Sequence, residues 1–308
     1  MKETKNVKVI CIGEILIDFI GSHSSPDIAS TTEFKRYLGG SPTNVAMNLN
    51  KLGCNAALVA TIGNDGLGNF LSQEMSALGM KQEYVRKVDD LPTSAILVSK
   101  TAETPDFIAY READCQILSS QLPDELIKTA SVFHTTCFAL SRNPARETIL
   151  KKVKVAAAAG CSISIDLNYS EKIWPDREQA IKTIKEYCSY DTMIKISVDD
   201  MVRLYGNDFS TTDLFDTLHN YGARLICLTR GSEGVLVSQR DKPLIEMPAI
   251  PLEKVVDATG AGDAFWSGFL CATLEGRDIE QSVKFALQVA SIKLTTIGGL
   301  PKELNLQP

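Results

Sequence analysis

Short runs of β-branched and apolar residues alternate along this chain with segments of helical periodicity, and this alternation restricts the possible folds more than any other feature. Residues 7–12, 56–62, 132–135, 162–166, 193–196, 225–229 and 234–238 read as strands. Helical patterns follow several of them, at 43–52, 66–78, 144–159, 177–187, 212–221 and 262–274. Strands separated by helix-length segments pair through crossovers, which predicts a three-layer α/β/α domain around a largely parallel sheet. Two segments, 16–37 and 93–115, break the pattern with β-type residues and turn formers but no helix. They are expected to form a small antiparallel sheet outside the main layer. No low-complexity linker or internal repeat divides the 308 residues, so 1–308 reads as a single domain.

Composition narrows the partners. A formal charge of −6 without any Lys/Arg run offers no footing for a nucleic-acid backbone. No stretch reaches the roughly 18–20 apolar residues that span a bilayer, and residues 1–8 lead straight into a short strand. The eight cysteines are dispersed without a Cys-x-x-Cys pair, which fits free thiols in a cytoplasmic protein. The three histidines, His23, His134 and His219, lack metal-ligand spacing.

The densest chemical signal is Asp257-Ala258-Thr259-Gly260-Ala261-Gly262-Asp263. The apolar face of Phe265, Phe269 and Ala272 places its glycines at a helix N-terminus, where unpaired N–H groups and the helix dipole attract anions. A carboxylate in that turn would repel a bound phosphate, so Asp263 needs another purpose, and removing a proton from an attacking hydroxyl supplies one. A plain N-cap on a Gly-rich turn is the bland alternative. Further upstream, Gly39-Gly40-Ser41-Pro42-Thr43-Asn44 precedes a helical face of Val45, Ala46, Leu49 and Leu52, with Ser41 as N-cap and Pro42 in the first helical position. The glycine amides beside Asn44 suit a sugar's hydroxyls.

Together these two segments resemble the two signatures of the PfkB, or ribokinase-like, carbohydrate kinases. The resemblance extends through Gly13-Glu14-Ile15-Leu16-Ile17-Asp18, Ile62-Gly63-Asn64-Asp65-Gly66-Leu67-Gly68 and Leu228-Thr229-Arg230-Gly231-Ser232-Glu233-Gly234. It implies that Gly260, Ala261 and Gly262 form an anion hole with Asp263 as base. It also implies a small sugar held by Asp18, Gly39, Gly40, Asn44 and Arg111, ATP along Thr229, Gly231, Gly234, Gly260 and Gly262, and a β lid made of 16–37 and 93–115. The family's Asn-x-x-Glu segment is here Ser197-Val198-Asp199-Asp200, so the resemblance gives Asp200 a water-mediated role beside Mg²⁺. It further admits a monovalent cation (K⁺) and a homodimer through the lid. The chain has no Gly-x-x-x-x-Gly-Lys-Ser/Thr loop and no His-Arg-Asp loop, the marks of the two better-known kinase designs.

Within the family, the Gly-Glu-x-Leu-Ile-Asp start and Lys195-x-Ser197 resemble fructokinases, so fructose is the expected substrate. Gly-Gly-Ser-Pro-Thr-Asn also resembles kinases of 5-dehydro-2-deoxygluconate, and Tyr110-Arg111 with Asp166-Leu167-Asn168-Tyr169 and Trp174 resembles both these and kinases of 2-keto-3-deoxygluconate. A nucleoside kinase and a catalytically idle sugar or nucleotide sensor are the remaining readings.

Overall fold

The computed structural model describes residues 7–101, 106–296, 298–301 and 304. Residues 1–6 of the expected lead into the first strand, and 102–105 of the second interrupted segment, lie outside the described residues. In chain order the elements begin β1 (Val9–Ile12), β2 (Leu16–Ser24), β3 (Phe34–Gly39), α1 (Ser41–Lys51), β4 (Ala56–Gly63), α2 (Gly66–Ala77), β5 (Val85–Val88), β6 (Ala95–Lys100) and β7 (Phe107–Tyr110). They continue with α3 (Asp124–Thr129), β8 (Val132–Thr136), α4 (Ala145–Ala158), β9 (Ser162–Asp166), α5 (Arg177–Cys188), β10 (Met193–Ser197) and α6 (Val198–Tyr205). The last are α7 (Thr211–Tyr221), β11 (Leu225–Thr229), β12 (Val235–Gln239), β13 (Ile245–Met247), α8 (Ala261–Leu274) and α9 (Ile279–Leu294).

Nine strands form the main sheet in the order β13-β12-β11-β10-β9-β8-β1-β4-β5. Pairing is parallel from β5 to β11, and β12 and β13 add an antiparallel edge. Every residue of β1 and β4 is buried, as strands covered on both faces require. Ile10 and Ile12 join one core with Ile149, Val153, Ile184, Leu204 and Leu218 of α4 to α7, whereas Val9 and Cys11 join the other with α1, α2, α8 and α9. That alternation of side chains across β1 is the origin of the three layers.

Local chemistry sets the helix boundaries. Asp65, Ser210 and Asp278 cap α2, α7 and α9 by accepting backbone N–H bonds, and α7 ends on Gly222 in the left-handed conformation. The helices α3, α6 and α9 and the strands β5 and β13 are additional to the elements expected from periodicity.

The second sheet has the order β3-β2-β6-β7 and is built from both interrupted segments. It is mixed rather than antiparallel: β2 pairs antiparallel with β3 but parallel with β6. Between β2 and β6 the chain passes through β3, α1, β4, α2 and β5, and this long connection permits the parallel pairing.

Candidate active site

In open parallel sheets ligands collect outside the carboxyl ends of the strands, where the winding direction reverses. Here β1 lies between β4 and β8. Glu14 follows β1, while Asp166, Ser197 and Thr229 close β9, β10 and β11. The N-termini of α1 and α8 meet at this end.

Gly260 caps α8 at φ 74°, a left-handed conformation that glycine adopts without strain. Ala264 N–H reaches back to Gly260 O at 2.9 Å, and among the described residues no carbonyl accepts from the N–H groups of Gly262 and Asp263. The free donors are therefore at Gly262 and Asp263, while Ala261 N–H, expected to serve an anion, donates to Ala258 O at 3.2 Å. A Cβ on Gly262 would lie 2.9 Å from Lys195 Nζ, so the glycine also makes room for an ammonium group.

Asp263 occupies the first turn of α8 and is 9% exposed. Its Oδ1 accepts from Ser41 Oγ at 2.6 Å and its Oδ2 from Asn44 Nδ2 at 2.8 Å. Burial raises the Asp263 carboxyl above its ordinary value, opposed by these two donors and by Lys195 and Lys293. Asn44 therefore orients the carboxylate directly. Ser41 is not the N-cap of α1 as expected, because Gly40 (φ 103°) takes that position and leaves the Ser41 hydroxyl free to turn toward Asp263.

Asp18 stands in β2 opposite Tyr37 of β3 and Ile96 of β6. A Cβ at Gly39 would fall 2.2 Å from its Oδ2, and one at Gly40 would fall 2.4 Å from Glu14 O. Both glycines thus answer to close approach. Burial pushes the Asp18 carboxyl up to about 7, with the negative charge of Asp263 adding to the shift. Glu14, 2% exposed, accepts from Ser41 N at 3.2 Å and from Thr136 Oγ1 at 2.8 Å, which ties the start of α1 to the ends of β1 and β8.

Parallel register sets Lys195 of β10 opposite Asp166 of β9, and the two form a buried ion pair at 3.0 Å. Burial alone would lower the Lys195 ammonium, but Asp166, Asp200 and Asp263 outweigh it and hold the group above its usual value. Asp200, in the first turn of α6, accepts from Ser197 Oγ at 2.5 Å and Arg203 Nη1 at 3.1 Å. This carboxylate faces the same Lys195 and could meet a metal's waters. Among the described residues no cluster of three His, Cys, Asp or Glu side chains could hold a metal directly.

Arg111 departs from the expected role, and Gly234 has a structural reason of its own. The Arg111 guanidinium is 3% exposed, bonds Asp114 Oδ2 through Nε (2.9 Å) and Nη2 (2.6 Å), reaches Ser141 Oγ, and lies over the Phe138 ring. A buried guanidinium needs such a paired carboxylate, so Arg111 fastens the end of β7 to the segment before α4. Gly234 (φ 90°) is explained by packing, since a Cβ there would sit 2.0 Å from Met247 O. Thr229 is half-buried at the end of β11, and Gly231 (φ 57°) has open space where a Cβ would point.

Periodicity and spacing passed over Glu14, Ser41, Asp166, Lys195 and Lys293 as site residues. Two of them left a signal: a lysine inside the apolar run Met193-Ile194-Lys195-Ile196 and an aspartate ending a buried strand must be paired if they are buried. No helix among the described residues is long and apolar enough to cross a membrane, and all eight cysteines are free.

The chain is similar to known proteins over nearly its whole length. Residues 6–303 match the pfkB family carbohydrate kinase profile. An ATP-dependent 6-phosphofructokinase of Thermoanaerobacterium thermosaccharolyticum is 35% identical, covering 97% of this chain and 91% of that protein. The structure of Halothermothrix orenii fructokinase superimposes with a TM-score of 0.80 at 31% identity, covering 92% of this chain and 98% of that one. A Pyrococcus horikoshii sugar kinase in complex with ATP gives a TM-score of 0.83 at 26% identity, covering 94% and 93%. With its ribokinase-like fold and a family match that spans nearly its whole length, the chain belongs to the PfkB family of ATP-dependent carbohydrate kinases.

Proposed function

We propose that this kinase transfers the γ-phosphate of ATP to a primary hydroxyl of fructose. The observation that carries the choice of a neutral sugar is the pairing of Asp18 and Asp263, two carboxyls close enough for one to raise the other. Such a pair accepts hydrogen bonds from hydroxyls and repels a carboxylate or phosphate. Arg111, the group that would have paired with a sugar acid, is held by Asp114.

In this reading the sugar lies against Asp18, Gly39, Gly40 and Asn44, under the smaller sheet acting as a lid. ATP extends past Thr229 and Gly231, with its γ-phosphate at the free amides of Gly262 and Asp263. Asp263 takes the proton of the attacking hydroxyl, while Lys195 sets positive charge beside the hole. Ser41 and Asn44 hold the carboxylate in place, so the protein's contribution is position and electrostatics. Mg²⁺ would enter with the nucleotide and offset phosphate charge; Asp200, whose carboxylate acts on Lys195, is the residue suited to its waters. A cytoplasmic setting suits the free thiols.

The 35% identity to a 6-phosphofructokinase favours a second reading, fructose 6-phosphate as acceptor. Measuring ADP release with fructose, fructose 6-phosphate, 2-keto-3-deoxygluconate, 5-dehydro-2-deoxygluconate and nucleosides separates the two. Fructose should give the highest kcat/KM. A higher value for fructose 6-phosphate would replace fructose and leave the mechanism standing.

A further inference from the structure

Lys293 is an ammonium group in an oxygen cage. It lies in the last turn of α9 and is 4% exposed, yet its Nζ is directed at the loop that leads into the anion hole. Its partners are Asp257 O at 3.3 Å, Asp257 Oδ2 at 3.2 Å and Thr296 O at 3.4 Å. The same loop is stitched to α9 by Val256 N–H and Asp257 N–H, both donating to Leu294 O. Asp257 holds the next turn in its own way, accepting from Thr259 N at 2.9 Å and Gly298 N at 3.3 Å.

Carbonyl and carboxylate oxygens converging on one positive charge are also the type of ligand that binds a monovalent cation. The negative end of the α9 dipole favours a cation at this place. The charge is felt at the reaction centre: a Cβ on Gly260 would be 3.8 Å from Lys293 Cε and 3.8 Å from Asp263 Oδ2, and Lys293 draws the Asp263 carboxyl down. Burial works against ionised Asp257, but Thr259 N–H and Lys293 outweigh it and keep the carboxyl below its ordinary value.

We infer that Lys293 takes the place of an exchangeable monovalent cation, so the anion hole of this kinase is organised by a fixed ammonium group and needs no K⁺. The K⁺ that the family resemblance admitted does not fit here, because its oxygens already bind Nζ. Lys293 is a positioning residue: it acts through the Asp257 to Gly260 loop and touches no substrate. This inference rests on the kinase reading of the Asp263 site.

The test compares the wild-type enzyme, Lys293→Ala and Lys293→Met in buffers containing choline, Na⁺ or K⁺ as the only monovalent cation, with thermal melting and ADP release measured on each. Wild type should melt and turn over equally in all three buffers. Lys293→Ala in choline should melt lower and lose at least about tenfold in kcat; K⁺, filling the vacated cage, should restore both, with saturation. Lys293→Met, which fills the space without the charge, should be impaired and should not respond to K⁺. If Lys293→Ala fails to fold in choline, folding in K⁺ alone still supports the inference, whereas failure in every buffer overturns it. A wild-type enzyme that requires K⁺, or a folded Lys293→Ala that is either unimpaired or impaired without rescue, also overturns it. A wild type that melts normally but phosphorylates no sugar would instead strike at the functional reading, while the melting comparison would still decide the cation question.

Discussion

Asp18 stands on β2 of the smaller sheet and Asp263 in the first turn of α8, and their environments separate the roles proposed for them. Asp263 has donors on both oxygens, while Asp18, among the described residues, accepts no hydrogen bond and is pushed up to about 7 by burial and by the charge of Asp263. With a pKa raised to about 7, Asp18 is protonated below that pH and becomes a full acceptor for sugar hydroxyls above it. Since kcat/KM reports the ionisations of the free enzyme, its value for fructose should climb as pH rises through about 7. Asp18→Asn should lower the plateau and abolish the climb; an unchanged climb in that variant would assign it to another group. Arg111 shows how far residue identity reaches: an arginine after Tyr110 has the chemistry to bind a substrate carboxylate or to pair with a neighbouring acid such as Glu112 or Asp114, and the fold selects Asp114 at 2.6 Å.

Lys195 and Gly262, on β10 and α8, meet because strand register and helix packing bring them together. Lys195→Met should leave Asp166 buried without its counter-charge and cost about 3–5 kcal/mol of stability. The uncompensated carboxylate is harmless once protonated, so the deficit measured by denaturant unfolding should shrink as pH falls; a deficit constant with pH would contradict the charge explanation. Gly262→Val should lower kcat more than it raises the sugar KM, because it disturbs donors that act on the transferring phosphoryl group and displaces Lys195 Nζ. A KM effect alone would move this turn to the sugar side. The N-termini of α1 and α8 could be read from Gly-Gly-Ser-Pro and Gly-Ala-Gly-Asp, whose residues have strong local preferences. The Asp278 and Gln281 capping box with Val283, Ala286 and Val289 carried a comparable signal for α9, which the expected elements omitted. β5, by contrast, is an edge strand reading Val-Arg-Lys-Val, charged where an apolar run would have marked it.

At the level of the whole molecule, alternation of period-2 and period-3.6 segments carried the three-layer order, because each crossover is local in the chain. The site joins residues remote in sequence, such as Asn44 and Asp263, 219 positions apart, and Lys293 and Asp257, 36 apart. No periodicity encodes such distances; only the two family signatures pointed to the first pair, and nothing pointed to the second. The smaller sheet leaves Ile108 (43%) and Tyr110 (59%) exposed on β7, and the homodimer implied by the family resemblance would cover them. Light scattering should give a dimer that Tyr110→Asp dissociates, and a monomeric wild type would contradict that assembly. The central claim is that Asp263 is the base beside the anion hole, and Asp263→Asn tests it most directly. The folded variant should bind ATP within a few-fold of wild type while kcat falls by about 10²–10⁴; turnover near the wild-type rate would contradict the account.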